Sequence, residues 1–189
     1  LRSPLIHIQH PDQAVLYPQE RFFSIKEYTI KPEEFSLYKL KRYKSGKSKS
    51  IELNCFYVAP LYNDSAINEC KVACGIRFSK PINNGYFSRD KVPARTASFY
   101  EETSELFAGY DYGNIVFFER TIDIEEEEAF SYAWSKNELL KTKDPPFVLI
   151  PVAESLNSRL SRKLIHLLIA LSLGIGICIM LMIYGARYN

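Results

Sequence analysis

Histidine is scarce in this 189-residue chain, and neither sign of charge is in clear excess. Three His occur, and 24 Lys and Arg stand against 22 Asp and Glu, which gives a formal net charge of +2. So small a net charge does not support nucleic-acid binding, which normally requires a concentrated basic face. The pair His7-x-x-His10 has no carboxylate or thiolate at a diagnostic spacing beside it. We therefore expect neither a nucleic-acid partner nor a metal site.

Sequence motifs of catalysis are also missing. No Gly-x-Ser-x-Gly elbow presents a nucleophile. The triplet Gly46-Lys47-Ser48 resembles the end of a phosphate-binding loop, but Lys41 occupies the position of the first glycine that such a loop requires. The acidic run at residues 123–128 lacks the spaced oxygen ligands of a calcium loop. We expect a protein that is not an enzyme and that holds no cofactor, with no catalytic residue to assign.

Cysteine occurs only four times, and its spacing argues against metal binding. Cys70 and Cys74 lie in a stretch that alternates like a strand, which at about 3.3 Å per residue places their sulfurs about 13 Å apart. Such a pair can neither share a metal nor form a disulfide. Two interpretations remain: buried apolar side chains, or a disulfide from Cys55 to Cys70 or Cys74. Because such a disulfide leaves one of these three thiols over, the count mildly favours a reducing compartment.

Aromatic residues are abundant, with 13 Tyr and 12 Phe, and they favour a β-rich fold because such rings pack well on a pleated sheet. Alternating apolar side chains over residues 51–58 and 70–78 predict two half-buried strands. One face of the second strand carries Cys70, Val72, Cys74, Ile76 and Phe78. Further strands are predicted at residues 22–30, 35–43, 114–120 and 147–152. The strand at 35–43 is expected to form a hairpin with the strand at 51–58.

One helix is predicted over residues 125–141. Carboxylates fill its first turn, where the helix dipole favours negative charge, and Phe130, Trp134 and Leu140 can share an apolar side. Asn84-Gly85 marks a hairpin turn. The segment between that hairpin and residue 114 shows no clear pattern, so we assign no further element there.

The predicted fold class is mainly β (α+β): an antiparallel β-rich single domain with one or two helices, followed by one C-terminal transmembrane helix. We expect an extended N-terminal arm outside the core at residues 1–20 and the β-rich soluble domain at 21–152. A juxtamembrane helix is expected at 153–163, the transmembrane helix at 164–184 and a short tail at 185–189.

The longest hydrophobic run extends from Leu164 to Tyr184, and none of its 21 residues carries a full charge. At about 1.5 Å per residue, a helix of this length crosses roughly 30 Å of hydrocarbon. Small residues recur in it at four-residue spacing, at Ala170, Gly174 and Cys178. This helix-packing face would let a helix of another membrane subunit approach closely.

A basic stretch surrounds the tip of the predicted hairpin. Its cations are Lys39, Lys41, Arg42, Lys44, Lys47 and Lys49. One interpretation is a solvated loop. The other is a contact with anionic lipid or an acidic protein surface, to which clustered cations contribute about 1 kcal/mol each.

These observations favour a non-catalytic accessory or assembly subunit that a single C-terminal span anchors in a larger membrane complex. Arg159, Arg162 and Lys163 precede the span and one Arg follows it, so the positive-inside tendency predicts a domain in the cytosol or the mitochondrial matrix. The mitochondrial inner membrane, with a respiratory or ATP-synthase-type complex and the domain in the matrix, is the location we predict.

Two alternatives remain open. The chain begins with Leu1 rather than Met, so we expect an upstream segment that is a signal peptide, a transit peptide or another helix. A secretory signal would make the protein a type I membrane ectodomain, acting as a binding module or receptor accessory, with Asn63-Asp64-Ser65 as a glycosylation sequon. The other alternative is a tail-anchored cytosolic adaptor.

Overall fold

The structure is a computed structural model. It describes residues 3–44, 50–63, 70–83, 91–136, 146–155, 158, 165 and 168–177. The chain divides into two units, Leu1–Ala153 and Glu154–Asn189. The first unit is a large sheet with few helices, which confirms the mainly β prediction.

Eight strands and two α-helices build the described part of the first unit. The strands are β1 (Leu5–Ile8), β2 (Phe22–Ile25), β3 (Thr29–Ile30), β4 (Ser36–Lys44), β5 (Ser50–Tyr62), β6 (Val72–Asn83), β7 (Phe117–Arg120) and β8 (Phe147–Val152). The helices are α1 (Lys91–Ala108) and α2 (Ile124–Ser135), and short 3-10 turns lie at Pro11–Leu16, Pro32–Glu34 and Tyr112–Asn114.

The eight strands form one sheet in the order β1-β2-β7-β8-β6-β5-β3, and β4 also pairs with β5. Strand β1 is parallel to β2, and β6 is parallel to β8. The other pairs are antiparallel, including the predicted hairpin of β4 and β5. The sheet is therefore mixed, which corrects the prediction of an antiparallel sheet. Two strands cause the difference: β1 lies parallel to β2 at the edge of the sheet, and β8 lies parallel to β6, between β6 and β7.

Strand β5 is the centre of the packing, with β4 and β6 as neighbours and buried residues on both faces. Leu53, Cys55 and Tyr57 lie on the face covered by α1. They form a core cluster with Phe99 and Phe107 of that helix. The sheet is thus covered on this face by α1 and on the other by α2.

Helix α2 begins where the sequence predicts. The carboxylate of Asp123 accepts hydrogen bonds from the backbone N–H groups of Glu125 (3.0 Å) and Glu126 (3.4 Å). This side chain is the N-cap, and it satisfies two N–H groups that a helix start leaves without an intrahelical partner.

The apolar side of α2 packs on the second face of the sheet. Phe130 and Trp134 are buried there in one cluster with Phe56 and Val58 of β5. This confirms that Phe130 and Trp134 share one side of a helix. The prediction extends the helix to residue 141, whereas α2 ends at Ser135 with Lys136 as its C-cap; residues 137–145 lie outside the described part.

Helix α1 is absent from the sequence prediction. Its fully buried positions are Thr96, Phe99, Thr103 and Phe107, spaced three or four residues apart as on one helical face. Two of these four side chains are threonines, so the hydrophobic periodicity of the segment is weak. The buried apolar side chains of this helix are two phenylalanines, and Val92 and Tyr100 pack partly against the same cluster.

The N-terminal segment belongs to the core, contrary to the prediction that it lies outside. Strand β1 pairs with β2, and the 3-10 turn after it buries Pro11 and Ala14. Ile8 and Ala14 join a core cluster with Phe23 and Leu149. A four-residue strand and one short turn are too short to leave a periodic signal in the sequence.

Gly75 on β6 faces α2 at a point where the packing leaves no room for a side chain. A Cβ atom there would lie 2.7 Å from Cγ1 of Val148 and 3.0 Å from two ring atoms of Phe130. Both neighbours are buried. Glycine is therefore required here by the close approach of α2 and β8, rather than by its backbone freedom.

We predict that Gly75→Ala lowers the free energy of unfolding by about 1 to 3 kcal/mol, because overpacking forces buried neighbours to shift. Urea denaturation measures this change. Gly109→Ala is the matched control, since its Cβ would meet its nearest neighbour only at 3.4 Å. In Gly75→Ala/Val148→Ala the loss should be smaller than the sum of the single losses. Full additivity would contradict the proposed collision.

Candidate functional site

A cleft of about 210 Å³ opens between the start of α2 and strands β4, β5 and β6. We name it the charged cleft. It is lined by Leu40, Arg42, Glu52, Asn54, Phe56, Arg77, Asp123, Glu125 and Glu126. Alternation along β4 and β5 directs their even-numbered side chains toward α2. The cap at Asp123 holds the acidic first turn of the helix opposite them.

Arg77 of β6 lies at the centre of the charged cleft. Its Nε and Nη2 atoms donate hydrogen bonds to Oδ1 of Asn54 at 3.1 and 2.9 Å. Its guanidinium also lies 3.7 Å from Oε1 of Glu52 and 3.6 Å from Oε1 of Glu126. The guanidinium carbon stands 5.6 Å from the ring centroid of Phe56, in a cation–π contact. One arginine therefore joins two strands to the helix.

Neighbouring hydroxyls complete this network. Ser79 Oγ donates to Oε1 of Glu52 at 3.2 Å, and Thr121 Oγ1 donates to Oε2 of Glu126 at 2.8 Å. The lining residues described here include no His, Cys or Ser, so they do not form a nucleophile–base pair. The arrangement neutralises and orients charges within the protein, and it is suited to holding α2 on the sheet.

The structure divides the predicted basic surface between the two faces of β4. Lys39 and Lys41 are exposed on the face of α1, and Nζ of Lys39 stands 4.4 Å from the ring centroid of Tyr100. Arg42 points to the opposite face, where it forms an ion pair with Glu125. These three cations are therefore close in sequence but do not share one surface.

The remaining predicted cations are Lys44, Lys47 and Lys49. Lys44 is the last residue of β4, whereas Lys47 and Lys49 lie outside the described residues. The predicted contact at the hairpin tip stays a prediction.

The three cysteines of the first unit are free thiols in buried positions. Cys55 accepts a hydrogen bond from Thr103 Oγ1 at 3.6 Å, and the thiol of Cys70 donates to the carbonyl of Val72 at 2.9 Å. Burial raises the pKa of all three thiols above the ordinary cysteine value. The structure thus favours buried side chains over the disulfide from Cys55.

The predicted one-sided row on β6 is correct except at its first member. Val72 and Cys74 pack together in one cluster of the core, and Ile76 and Phe78 continue the row under α1. Cys70 precedes β6 and packs instead in the cluster of α2. The alternation fails there because Cys70 is not part of the strand.

A second cleft, of about 200 Å³, lies beside Cys70 and Tyr62. The Tyr62 hydroxyl donates to Oε2 of Glu34 at 2.6 Å, and Lys31 Nζ lies 3.1 Å from the other oxygen of that carboxylate. The hydrogen bond from Tyr62 is the main cause that lowers the pKa of Glu34. Burial raises the pKa of Tyr62, so the phenol keeps its proton and acts as a donor here.

The helix-packing face lies in the second unit. Residues 165 and 168–177 are helical and exposed. Apart from the backbone of its own helix, no atom of the described residues lies within 4 Å of a Cβ built on Gly174. Among the described residues, no helix has the length and hydrophobicity to cross a membrane. Cys178 lies outside them.

Neither a metal centre nor a related protein identifies the site. Within the described part of the chain, no three His, Cys, Asp or Glu residues are grouped so that they could hold a metal ion. No protein-family model, curated protein or solved structure matches the chain.

We predict that Arg77→Met lowers the free energy of unfolding by about 2 kcal/mol. The buried Asn54 carbonyl would lose its hydrogen bonds from Arg77, and the largely buried carboxylates of Glu52 and Glu126 would lose the charge of its guanidinium. Methionine keeps an unbranched apolar stem over Phe56. Arg42→Met is the matched control: both partners of its ion pair are more than a third exposed, and we expect a loss of about 0.5 kcal/mol or less. Equal losses in urea denaturation would contradict the central role of Arg77.

We also predict that the three thiols react slowly in the folded protein. Reaction with a thiol reagent at pH 8 in the Cys178→Ser variant should be about 100-fold slower than in urea, because access requires opening of the core and only the thiolate reacts. Rapid modification of one thiol in the native state would show that it is exposed.

Proposed function

We propose that this chain is a non-catalytic subunit of a membrane protein complex, anchored by its hydrophobic C-terminal run. In this role the first unit supplies a rigid surface for partner proteins. The run from Leu164 to Tyr184 supplies a helix that packs on a helix of another subunit.

The observation that carries the proposal is the exposure of apolar side chains on the helical residues 168–177. Six large aliphatic side chains there are 52 to 64% exposed: Leu168, Ile169, Leu171, Leu173, Ile175 and Ile177. A helix that is apolar on every side is stable only where lipid or protein covers it. The uncharged run continues beyond these residues in the sequence to Tyr184, which supports a lipid environment.

The absence of an assembled catalytic group in the charged cleft supports a non-catalytic role. Arg42 and Arg77 are paired with carboxylates of the protein itself. The charges of the cleft thus serve internal contacts, while Lys39 and Lys41 of β4 are exposed. We place partner contacts at the lysine side and at the face of Ala170 and Gly174.

The proposed location follows from charge and thiols together. Basic residues precede the hydrophobic run, and the buried cysteines are free thiols. Both agree with a domain in a reducing compartment, and we propose the matrix side of the mitochondrial inner membrane.

Expression of the complete gene with a C-terminal tag tests this: the protein should resist carbonate extraction, and Asn63 should carry no glycan. A glycosidase-sensitive mass shift would favour the secretory alternative, and release by carbonate would contradict anchoring.

We predict that Gly174→Leu releases the protein from its complex but leaves it in the membrane fraction, because helix association in lipid depends on close van der Waals approach. Ser172→Leu is the matched control. It adds similar bulk about 200° around the helix from Ala170, at 100° per residue. Size-exclusion profiles of detergent-solubilised membranes measure the assembly. An unchanged profile for Gly174→Leu, or an equal shift for both variants, would contradict a specific packing face.

A further inference from the structure

Strand β4 forms a long and regular outer edge of the sheet. Its register with β5 runs without interruption through nine pairs, from Ser36 opposite Val58 to Lys44 opposite Ser50. Among the described strands, β5 is its only partner. Every second main-chain N–H and C=O group of such an edge strand points away from the sheet and can pair with another strand.

This edge lacks most of the features by which proteins block strand addition. Natural edges are commonly very short, contain proline or are bent by a bulge. The opposite edge, β1, has only four residues and is followed by Pro11. Strand β4 has nine residues, no proline and no bulge. Its protection consists of charge alone, and charge repels some partners while it attracts others.

We propose that the outer edge of β4 binds an extended acidic segment of a partner protein, which adds to the sheet as a further strand. Main-chain hydrogen bonds would supply the affinity, and alternate side chains the selectivity, as in other cases of strand addition. This inference rests on the proposed role as a subunit and names the chemistry of one partner.

The charges of β4 select an acidic strand. Lys39 and Lys41 are exposed on one face of the strand, where side chains of an added strand would lie directly beside them. Opposite charges in such cross-strand pairs are stabilising, and like charges are destabilising. Tyr43 is 76% exposed on the same face and offers an aromatic surface to the same partner.

The same charges disfavour a second copy of this chain as the occupant. In an antiparallel pairing of two β4 strands centred on Lys39, Leu40 or Lys41, a lysine stands opposite a lysine of the other copy. The pairs are Lys39 with Lys39, Lys39 with Lys41, and Lys41 with Lys41. Each of them brings like charges together, so we expect no dimer through this edge.

The test uses the 189-residue chain in a non-ionic detergent and three fluorescein-labelled nonapeptides. The first has Glu at alternate positions with Val or Thr between them. The second has Lys in place of Glu. The third keeps the Glu residues but has Pro at two of the intervening positions, which preserves the charge and prevents strand pairing. Fluorescence anisotropy measures binding, and hydrogen exchange measures protection of the amides of β4.

We expect only the first peptide to bind, with slower amide exchange confined to β4 and its neighbours. Lys39→Glu/Lys41→Glu should weaken this binding about tenfold and confer binding of the Lys peptide, because the cross-strand charges are reversed. The matched control is Lys26→Glu/Lys71→Glu, which makes the same change in net charge at exposed positions outside β4. It should bind the first peptide nearly as well as the unaltered chain.

Three outcomes would overturn the inference. Equal binding of the Pro peptide would show a purely electrostatic contact. Failure to bind the first peptide, together with lysine-dependent binding to phosphatidylserine vesicles, would assign the surface to lipid. A dimer that protects the β4 amides would make a second copy the occupant. Carbonate extraction of the same variants tests anchoring separately, so loss of peptide binding does not bear on the membrane proposal.

Discussion

Burial of β5 on both faces is the constraint on which the rest of the first unit depends. Adjacent residues of a strand point to opposite faces, so a shift of one residue would exchange every contact with α1 for a contact with α2. Two polar side chains make such a shift costly. The Tyr57 hydroxyl lies 3.1 Å from both Thr103 Oγ1 and Ser104 Oγ of α1, and Asn54 accepts two hydrogen bonds from Arg77 on the other face. Apolar burial stabilises β5, and these two side chains specify its register.

The local features of this fold could be predicted from the sequence, and the long-range ones could not. Alternation over residues 51–58 predicts a strand because its cause lies in consecutive residues, and Asp123 marks a helix start for the same reason. The parallel pairing of β6 with β8 joins segments about 75 residues apart, between Val72 and Phe147. No pattern in either segment encodes that partner, because both read simply as apolar strands.

The charged cleft shows a signal that sequence reasoning overlooked. Side chains alternate between the two faces of β4, so Lys39 and Lys41 lie on one face and Arg42 on the other. The sequence prediction grouped these cations into one surface because they are close in sequence. Arg77 received no role because it lies on the polar face of a predicted strand, where a solvated charge is the ordinary expectation. Its function as a link depends on the placement of α2, which comes from a distant part of the chain.

Ion pairs link residues throughout the described part of the first unit, and they include Lys31 with Glu34 and Lys80 with Glu102. Four arginines form ion pairs with glutamates of the same chain: Arg21 with Glu119, Arg42 with Glu125, Arg77 with Glu52 and Glu126, and Arg120 with Glu127. The planar guanidinium can engage several acceptors at fixed angles, which suits it to joining elements of the fold. Lysine is a strongly hydrated point charge on a flexible stem, and it keeps its hydration shell where it stays exposed. Because Arg42 and Arg77 form their ion pairs on the α2 side of the sheet and Lys39 and Lys41 are exposed on the α1 side, the partner strand proposed for β4 would bind without disturbing the network that holds α2 on the sheet.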